Sequence, residues 1–366
     1  MNYRLSTIHA RKSYDKDITE IIDLNLVDPI SQLIIELAAN VTDDTNITAH
    51  VIACLSKIEI VDGSEVLFSL SGYEAEVVDW YTNHNFNSPW NIYMGWGETQ
   101  RFIRINFGRY LWDPELAFDP KKFRNPQLKL TLDIDAGGAI PNLNRLQVWG
   151  ALFDQKAVTP IGFLMHKEIK NYVPGSSSHE YTDMPQDYPY RKLFIRAWDP
   201  GTEPCQVLSN IKLSEDQDKK IIFDHGPADI LRTIAMQSPP IEEYIHARAM
   251  TAATEIFCTP TERVYPVATI LSDTADAGTV AVSMGDGGHF HAITGTAAKY
   301  LSCFVRGWLP HGTWEIPFGL QNEMADWYDT SKVGSLKLDI LAAAGQGGSE
   351  TVQLFLQQLR KYGGAA

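Results

Sequence analysis

Two stretches, QLKLTLDI at 127–134 and SLKLDI at 335–340, write nearly the same strand twice, with Leu128 and Leu336 separated by 208 positions. Their neighbourhoods match as well. Upstream, FDPKKF (118–123) faces YDTSKV (328–333) at an offset of 210, and IRINFG (103–108) faces WEIPFG (314–319) at 211. Downstream, LQVW (146–149) faces VQLF (352–355) at 206. Earlier blocks repeat in the same order: LSKIEI (55–60) with LSNIKL (208–213) at 153, and Leu67-Phe68 with Ile222-Phe223 at 155. LIIELA (33–38) has a weaker counterpart in LFIRAW (193–198) at 160. Slow drift of this kind is what loop insertions and deletions produce in a duplicated unit. The jump from 155 to 211 gives the second copy 56 extra residues (211 − 155) within 224–313. That region is rich in Gly, Ala, Thr and Ser and reads as a long decorated loop with short strands of its own.

Each copy is written in short segments rich in Ile, Val, Leu and aromatics, separated by turns such as TDDTN, VDGS and AGGAIPN. Regularly spaced strands with turn signals indicate an antiparallel sandwich or barrel. Leu128, Leu130, Leu132 and Ile134 alternate with period two, which puts four apolar side chains on one face. Two stretches per copy prefer helix: GYEAEVVDWYTN with GPADILRTIAM, and DPELAFDPKKF with QNEMADWYD. Pro114 and Pro227 suit first-turn positions, and Asp113 suits an N-cap. Eight strands and two short helices per copy is the count of a jelly roll. The expected architecture is therefore all-β: two tandem eight-stranded antiparallel jelly rolls. The first unit is residues 1–158 with an N-terminal arm, and the second is 159–366 with the loop inserted within 224–313 and a short C-terminal tail.

At 366 residues, 44% hydrophobic and 21% charged, the chain has apolar surface enough for two packed domains. Its N-terminus, MNYRLSTIHARKSYDKD, carries no signal-peptide core, and no segment approaches the roughly 18 apolar residues of a membrane span. Cys54, Cys205, Cys258 and Cys303 lie far apart, without the CxxC or Cys/His grouping of a zinc site or a disulfide framework; buried reduced thiols are expected. The formal charge of −14 argues against nucleic-acid binding by the whole surface. Arg4, Arg11 and Lys12 form a small basic patch that reads as a solvated arm.

Candidate chemistry is sparse. His289 and His291 in GDGGHFHAITG would face the same way on a strand and could ligate zinc or copper, but no second His pair accompanies them. The competing reading is a histidine-bearing loop. Asp133 and Asp135, and Glu215, Asp216 and Asp218, offer carboxylates for weak calcium binding without the DxDxDG frame, or simple solvated turns. Ser178 beside His179 lacks the GxSxG setting of a nucleophile, and no phosphate-cradling glycine motif occurs. Glu36, Glu59 and Asp79 stand for carboxylates that folding could bring together as in a glycosidase. NIT at 46–48 matches the glycosylation sequon. Trp80, Trp90, Trp96 and Trp112 cluster in sequence, as a sugar-binding platform or as core and interface packing. No catalytic, cofactor-binding or metal residue is assigned.

The two copies, the decorated second loop and the unit FGRYLWDPELAFDPKKFRNPQLKLTLDIDAGG together resemble the double-jelly-roll major capsid proteins of icosahedral, internal-membrane bacteriophages of the corticovirus and finnlakevirus type. The resemblance implies a structural protein with no enzymatic role, in which three chains form a trimer whose pseudo-hexagonal capsomers tile a shell around a lipid vesicle. Its implied partners are other copies of itself, penton and minor capsid proteins, and the viral inner membrane through the N-terminal arm, without direct nucleic-acid contact. Its implied place is the virion, after assembly in the host cytoplasm. It also implies that Asp119 and Asp329 begin equivalent turns, that the 224–313 insertion forms a tower or trimer contacts, and that the arm and the tail LRKYGGAA lie near the shell base. A trimer would carry 3 × −14 = −42, so assembly should depend on ionic strength or on Ca²⁺ bridging carboxylates. No cofactor beyond such structural Ca²⁺ is implied. The rival classes are a two-jelly-roll glycan-directed hydrolase or amidase, a carbohydrate-binding sandwich, and a two-sandwich copper monooxygenase, the last lacking its histidines here.

Overall fold

The computed structural model describes the chain except residues 41–46, 86–90, 94–96, 138–143, 272–279, 296, 347 and 364–366. The first half runs β1 (Tyr3–Tyr14), β2 (Ile18–Asp23), β3 (Ile30–Asn40), β4 (Leu55–Asp62) and β5 (Glu65–Leu70). Helix α1 (Gly72–Asn83) and the two-residue β6 (Ile92–Tyr93) follow, then β7 (Glu98–Asn106), β8 (Pro126–Leu132) and β9 (Asn144–Phe153). Its sheets are ordered β1-β9-β3-β7 and β2-β8-β4-β5.

The second half repeats this plan. It begins with β10 (Gly162–Tyr172), β11 (His179–Asp183), β12 (Tyr190–Trp198), the short α2 (Pro204–Val207), β13 (Leu208–Glu215), β14 (Lys220–His225) and α3 (Pro227–Gln237). The insertion follows: β15 (Ile241–Ala249), β16 (Thr254–Phe257), β17 (Pro260–Thr261), β18 (Val267–Leu271), β19 (Val280–Val282), β20 (His289–Thr294), β21 (Lys299–Gly307) and β22 (Leu309–Pro310). Then come β23 (Thr313–Pro317), β24 (Leu336–Ala342) and β25 (Thr351–Lys361). Strand orders β10-β25-β12-β23 and β11-β24-β13-β14 reproduce those of the first half, so the chain is a double jelly roll.

Pairing registers make the duplication quantitative. Ile35 faces Val148 in the first roll and Ile195 faces Leu354 in the second. Leu33 faces Ile105, and Leu193 faces Ile316. Ile60 faces Phe68, and Leu213 faces Phe223, each next to a bulge at the same place. These pairs preserve the offsets 160, 206, 211, 153 and 155 read from the sequence. The LKL match is the exception. Ile60 pairs with Leu128, whereas its counterpart Leu213 pairs with Leu338, so the true offset on this strand is 210. A slip of two residues leaves every side chain on its own face, which is why the sequences align either way.

Apolar alternation drives the packing: Leu128, Leu130 and Leu132 are buried, as expected of a strand with one face to a core. One cluster runs through both rolls, with Ile35, Phe107 and Leu130 from the first and Phe194, Trp314 and Phe355 from the second. The insertion has its own core of Ile245, Ala247, Ile256, Phe290, Leu301 and Cys303. Its sheet, β18-β21-β15-β6, recruits β6 from the first roll, parallel to β15.

Helix α1 opens on a capping box: Ser71 Oγ accepts from the Glu74 N–H, and the Glu74 carboxylate accepts from the Ser71 N–H. α3 matches the second stretch read as helical. The other helix pair does not form. Residues 113–123 and 321–329 contain only 3₁₀ turns, at Pro120–Lys122, Met324–Asp326 and, just beyond, Thr330–Lys332. Proline and capping carboxylates start a turn there, but the chain is extended immediately afterwards for β8 and β24. Asp119 and Asp329 do begin equivalent turns, accepting from Lys121 N–H (3.1 Å) and Ser331 N–H (3.0 Å). The basic N-terminal stretch is a strand, not a solvated arm. β1 pairs along its length with β9, and Arg4, Arg11 and Lys12 bridge to Asp28, Glu98 and Glu20.

Candidate functional site at the junction of two rolls and insertion

The two rolls share one sheet of eight strands, β2-β8-β4-β5-β10-β25-β12-β23. Its seam is the parallel contact of β5 with β10 at Ser69 and Lys167. Beside the seam, His166 is buried with its ring 5.4 Å from Phe68. Gln357 Nε2 donates to His166 Nε2 (2.7 Å), while Arg191 Nη1 donates to Gln357 Oε1 (2.9 Å). Burial, then the charges of Arg191 and Lys192, push the imidazole down to about 3, so it stays neutral. Arg360 reaches Glu65 across the seam at 2.5 Å. Tyr362 Oη accepts from the Asp119 N–H and donates to the Ala117 carbonyl, both 2.7 Å, tying the tail segment to the first roll.

A second junction, wholly buried, joins both rolls to the insertion. Arg101 on β7 donates from Nη2 to Glu243 Oε1 on β15 (2.7 Å), and its Nη1 lies 3.5 Å from Glu76 Oε1 on α1. Glu243 also accepts from Asn91 Nδ2 (2.7 Å), the Thr259 N–H (2.8 Å) and Thr259 Oγ1 (3.2 Å). His311, in the turn before β23, places Nε2 2.9 Å from Glu76 Oε2. His50 accepts from the Ile52 N–H through Nδ1 (3.2 Å) and meets Arg101 through Nε2. Arg196 on β12 donates from Nε to the His311 carbonyl (3.0 Å) and stacks 4.4 Å over Tyr73.

Electrostatics follow from this packing. Burial, reinforced by Arg101, holds His50 well below its ordinary range, and burial lowers His311 against the pull of Glu76. Burial would raise Glu76, but Arg101 and His311 outweigh it and keep the carboxylate below its usual range. Glu74 is raised to about 8 by burial and then by the charge of Glu168 across the seam. Arg101 thus faces both Glu76 and Glu243.

Ligand atoms of His50, Glu76 and His311 lie within 4.8 Å of one another, a donor set that zinc accepts. With Glu76 held by Arg101 and His311, the cluster forms a buried ionic clamp. The clamp links residues of both rolls with the insertion. Its residues come from positions 50, 76, 101, 196, 243 and 311, and no local motif marks them.

The residues singled out from sequence are dispersed. His289 and His291 do lie on one side of β20, 5.3 Å apart; His289 stacks on Phe257 and His291 approaches Glu255 at 3.5 Å. Asp133 and Asp135 are exposed. Glu215 accepts from Tyr328 Oη (2.8 Å), Asp216 from the N–H groups of Gly334 and Ser335 (3.0 Å each), and Asp218 pairs with Lys212 (2.9 Å). That acidic run closes turns. Ser178 Oγ donates to the Gly175 carbonyl, and His179 faces Asp339, so the two do not act together. Glu36, Glu59 and Asp79 each meet a different cation: Arg11, Lys57 and Arg104. Trp80 is core, and Trp112 packs on Tyr3 and Phe153. Trp90, Trp96 and most of the sequon NIT's neighbourhood lie outside the described residues, as does 272–279. No described helix is long and apolar enough to cross a membrane.

No known family model matches the chain, and no curated protein sequence matches it significantly. Solved structures do. The STIV MCP aligns with a TM-score of 0.62 at 9% identity, over 98% of this chain and 97% of that one. The major capsid protein P2 of bacteriophage PM2 aligns at 0.54 and 9% identity, over 99% of both chains. A chain of the PBCV-1 virus capsid aligns at 0.54 and 10% identity, over 98% and 94%. Matched over its whole length by these structures, the chain has the fold of the double-jelly-roll major capsid proteins of icosahedral viruses.

Proposed function

We propose that this chain is a structural major capsid protein with no catalytic role. Three copies form a pseudo-hexagonal capsomer, and capsomers tile an icosahedral virion shell, assembled in the host cytoplasm around an internal lipid membrane. The observation that carries this reading is end-to-end likeness to capsid proteins on both sides of the alignment, with both rolls accounted for and no large domain left over. The welded eight-stranded sheet supports it, because a shell subunit must hold its two rolls at a fixed angle. Within the proposal, the units divide at 158/159, in the connection between β9 and β10. The insertion projects as the tower, and penton, minor capsid and membrane contacts fall on the remaining faces.

Mass in solution by light scattering, with negative-stain images of the same peak, tests it. A trimer of 123 kDa, three times 41.0 kDa, with a six-lobed outline is expected. A 41.0 kDa species at every salt and calcium level would overturn it and direct attention to glycan screens.

A further inference from the structure

We infer that the free edge of β14 in one copy receives the free edge of β1 from a second copy, repeating between chains the seam that joins the two rolls within a chain. This rests on the proposed self-assembly and names its contact. Within the chain, β5 ends the first roll's sheet and pairs in parallel with β10. The counterpart of β5 is β14, at an offset of 155. The counterpart of β10 is β1, at 161, and the register proves it. Leu5, Ser6, Thr7 and His9 face Ala151, Gly150, Trp149 and Val148. His166, Lys167, Glu168 and Lys170 face Gln357, Leu356, Phe355 and Leu354. Both strands skip one residue at the same step. Among the described residues β1 pairs only with β9 and β14 only with β13, so each presents an open row of N–H and C=O groups. Carrying Ser69–Lys167 across gives Asp224 opposite Ser6 of the second copy.

Side chains agree with this placement. Leu5 is 63% exposed, yet its counterpart His166 is buried against Phe68, whose own counterpart is Phe223. Ile221, 51% exposed, stands where Val66 flanks the internal seam. The seam's ion pair, Arg360 with Glu65, maps onto Asp154 and Lys220. Both charges are exchanged, so attraction is preserved; a single exchange would have produced repulsion. Each chain offers one such β1 edge and one such β14 edge, a head-to-tail contact that closes into a ring of three chains and six rolls.

Charge exchange tests the contact. Lys220→Glu and Asp154→Lys, singly and together, are compared with wild type by native mass measurement across a dilution series. Each single reversal should weaken association about fivefold per contact and about a hundredfold over the three contacts of the ring, and the double variant should recover it. A second readout pairs Ser6→Cys with Asp224→Cys. Neighbouring strands lie about 4.8 Å apart, within disulfide range, so oxidation should give covalent oligomers. A wild-type trimer indifferent to both reversals, or one that never cross-links, overturns this contact alone. A wild-type monomer overturns the functional reading and the contact with it.

Discussion

Lowering the pH should loosen the roll–roll seam through His166, by an amount the structure sets. The folded imidazole titrates at about 3 against roughly 6.5 in the unfolded chain. Because the folded value is depressed, the unfolded state takes up the proton first. The stabilisation from keeping this ring neutral is therefore complete above pH 6.5 or so, and it is lost progressively as pH falls towards the folded value. At pH 4.5 the two values give a loss of roughly 3 kcal/mol from this one group, with a limit of roughly 5 kcal/mol at still lower pH. The assay is urea unfolding at pH 7.5 and 4.5, at one protein concentration, for wild type and His166→Gln. Glutamine keeps a polar group facing Gln357 but cannot charge, so it will cost stability at pH 7.5 and flatten the pH dependence. The difference between the two proteins' pH losses isolates His166 from the carboxylates and from His50 and His311. Equal losses in both would refute the reasoning.

Arg101→Met should cost about 3–5 kcal/mol by stranding Glu76 and Glu243 without their cation, seen as faster proteolysis of the insertion and a lower urea midpoint. Tyr362→Phe removes the hydroxyl that serves both Asp119 and Ala117, for about 1–3 kcal/mol; thermal unfolding would register it. At Gly72 a Cβ would meet the Leu55 and Ile52 carbonyl oxygens at 2.6 and 2.7 Å, so Gly72→Ala should lower the melting temperature despite alanine's better helix propensity, at about 1–3 kcal/mol. A trimer of net charge −42, three times −14, should tile more readily as salt shortens the Debye length from about 30 Å at 0.01 M to about 8 Å at 0.15 M. Turbidity or light scattering that ignores both salt and a calcium chelator would count against that expectation.

Much of this fold was legible because duplicated strands keep their apolar spacing while their loops drift. Even the weak LIIELA and LFIRAW match holds to the residue, since Ile35 pairs with Val148 and Ile195 with the equivalent Leu354. β1 escaped because its exposed edge position leaves charged residues such as Arg11 and Lys12 on a strand that buries little, so alternation is masked. The turns at Asp119 and Asp329 carry helix-start residues without a helix to start, since capping chemistry is the same for one turn as for four. The ionic clamp was invisible for a different reason: its members meet only when two rolls and an insertion have docked, and long-range convergence leaves no local spacing to read.

The position of β25 between β10 and β12 bears on how the molecule is made. Its two partners are synthesised first, and β10 ends 189 residues before β25 does, an interval of about 10–40 s at ordinary rates of translation. Through that interval the centre of the second roll is a gap flanked by two apolar strands with open edges, while the first roll already holds all its strands. A nascent chain is therefore half finished in a literal sense, and chaperone occupancy on the ribosome should peak over the second roll and fall once the final strand slots in.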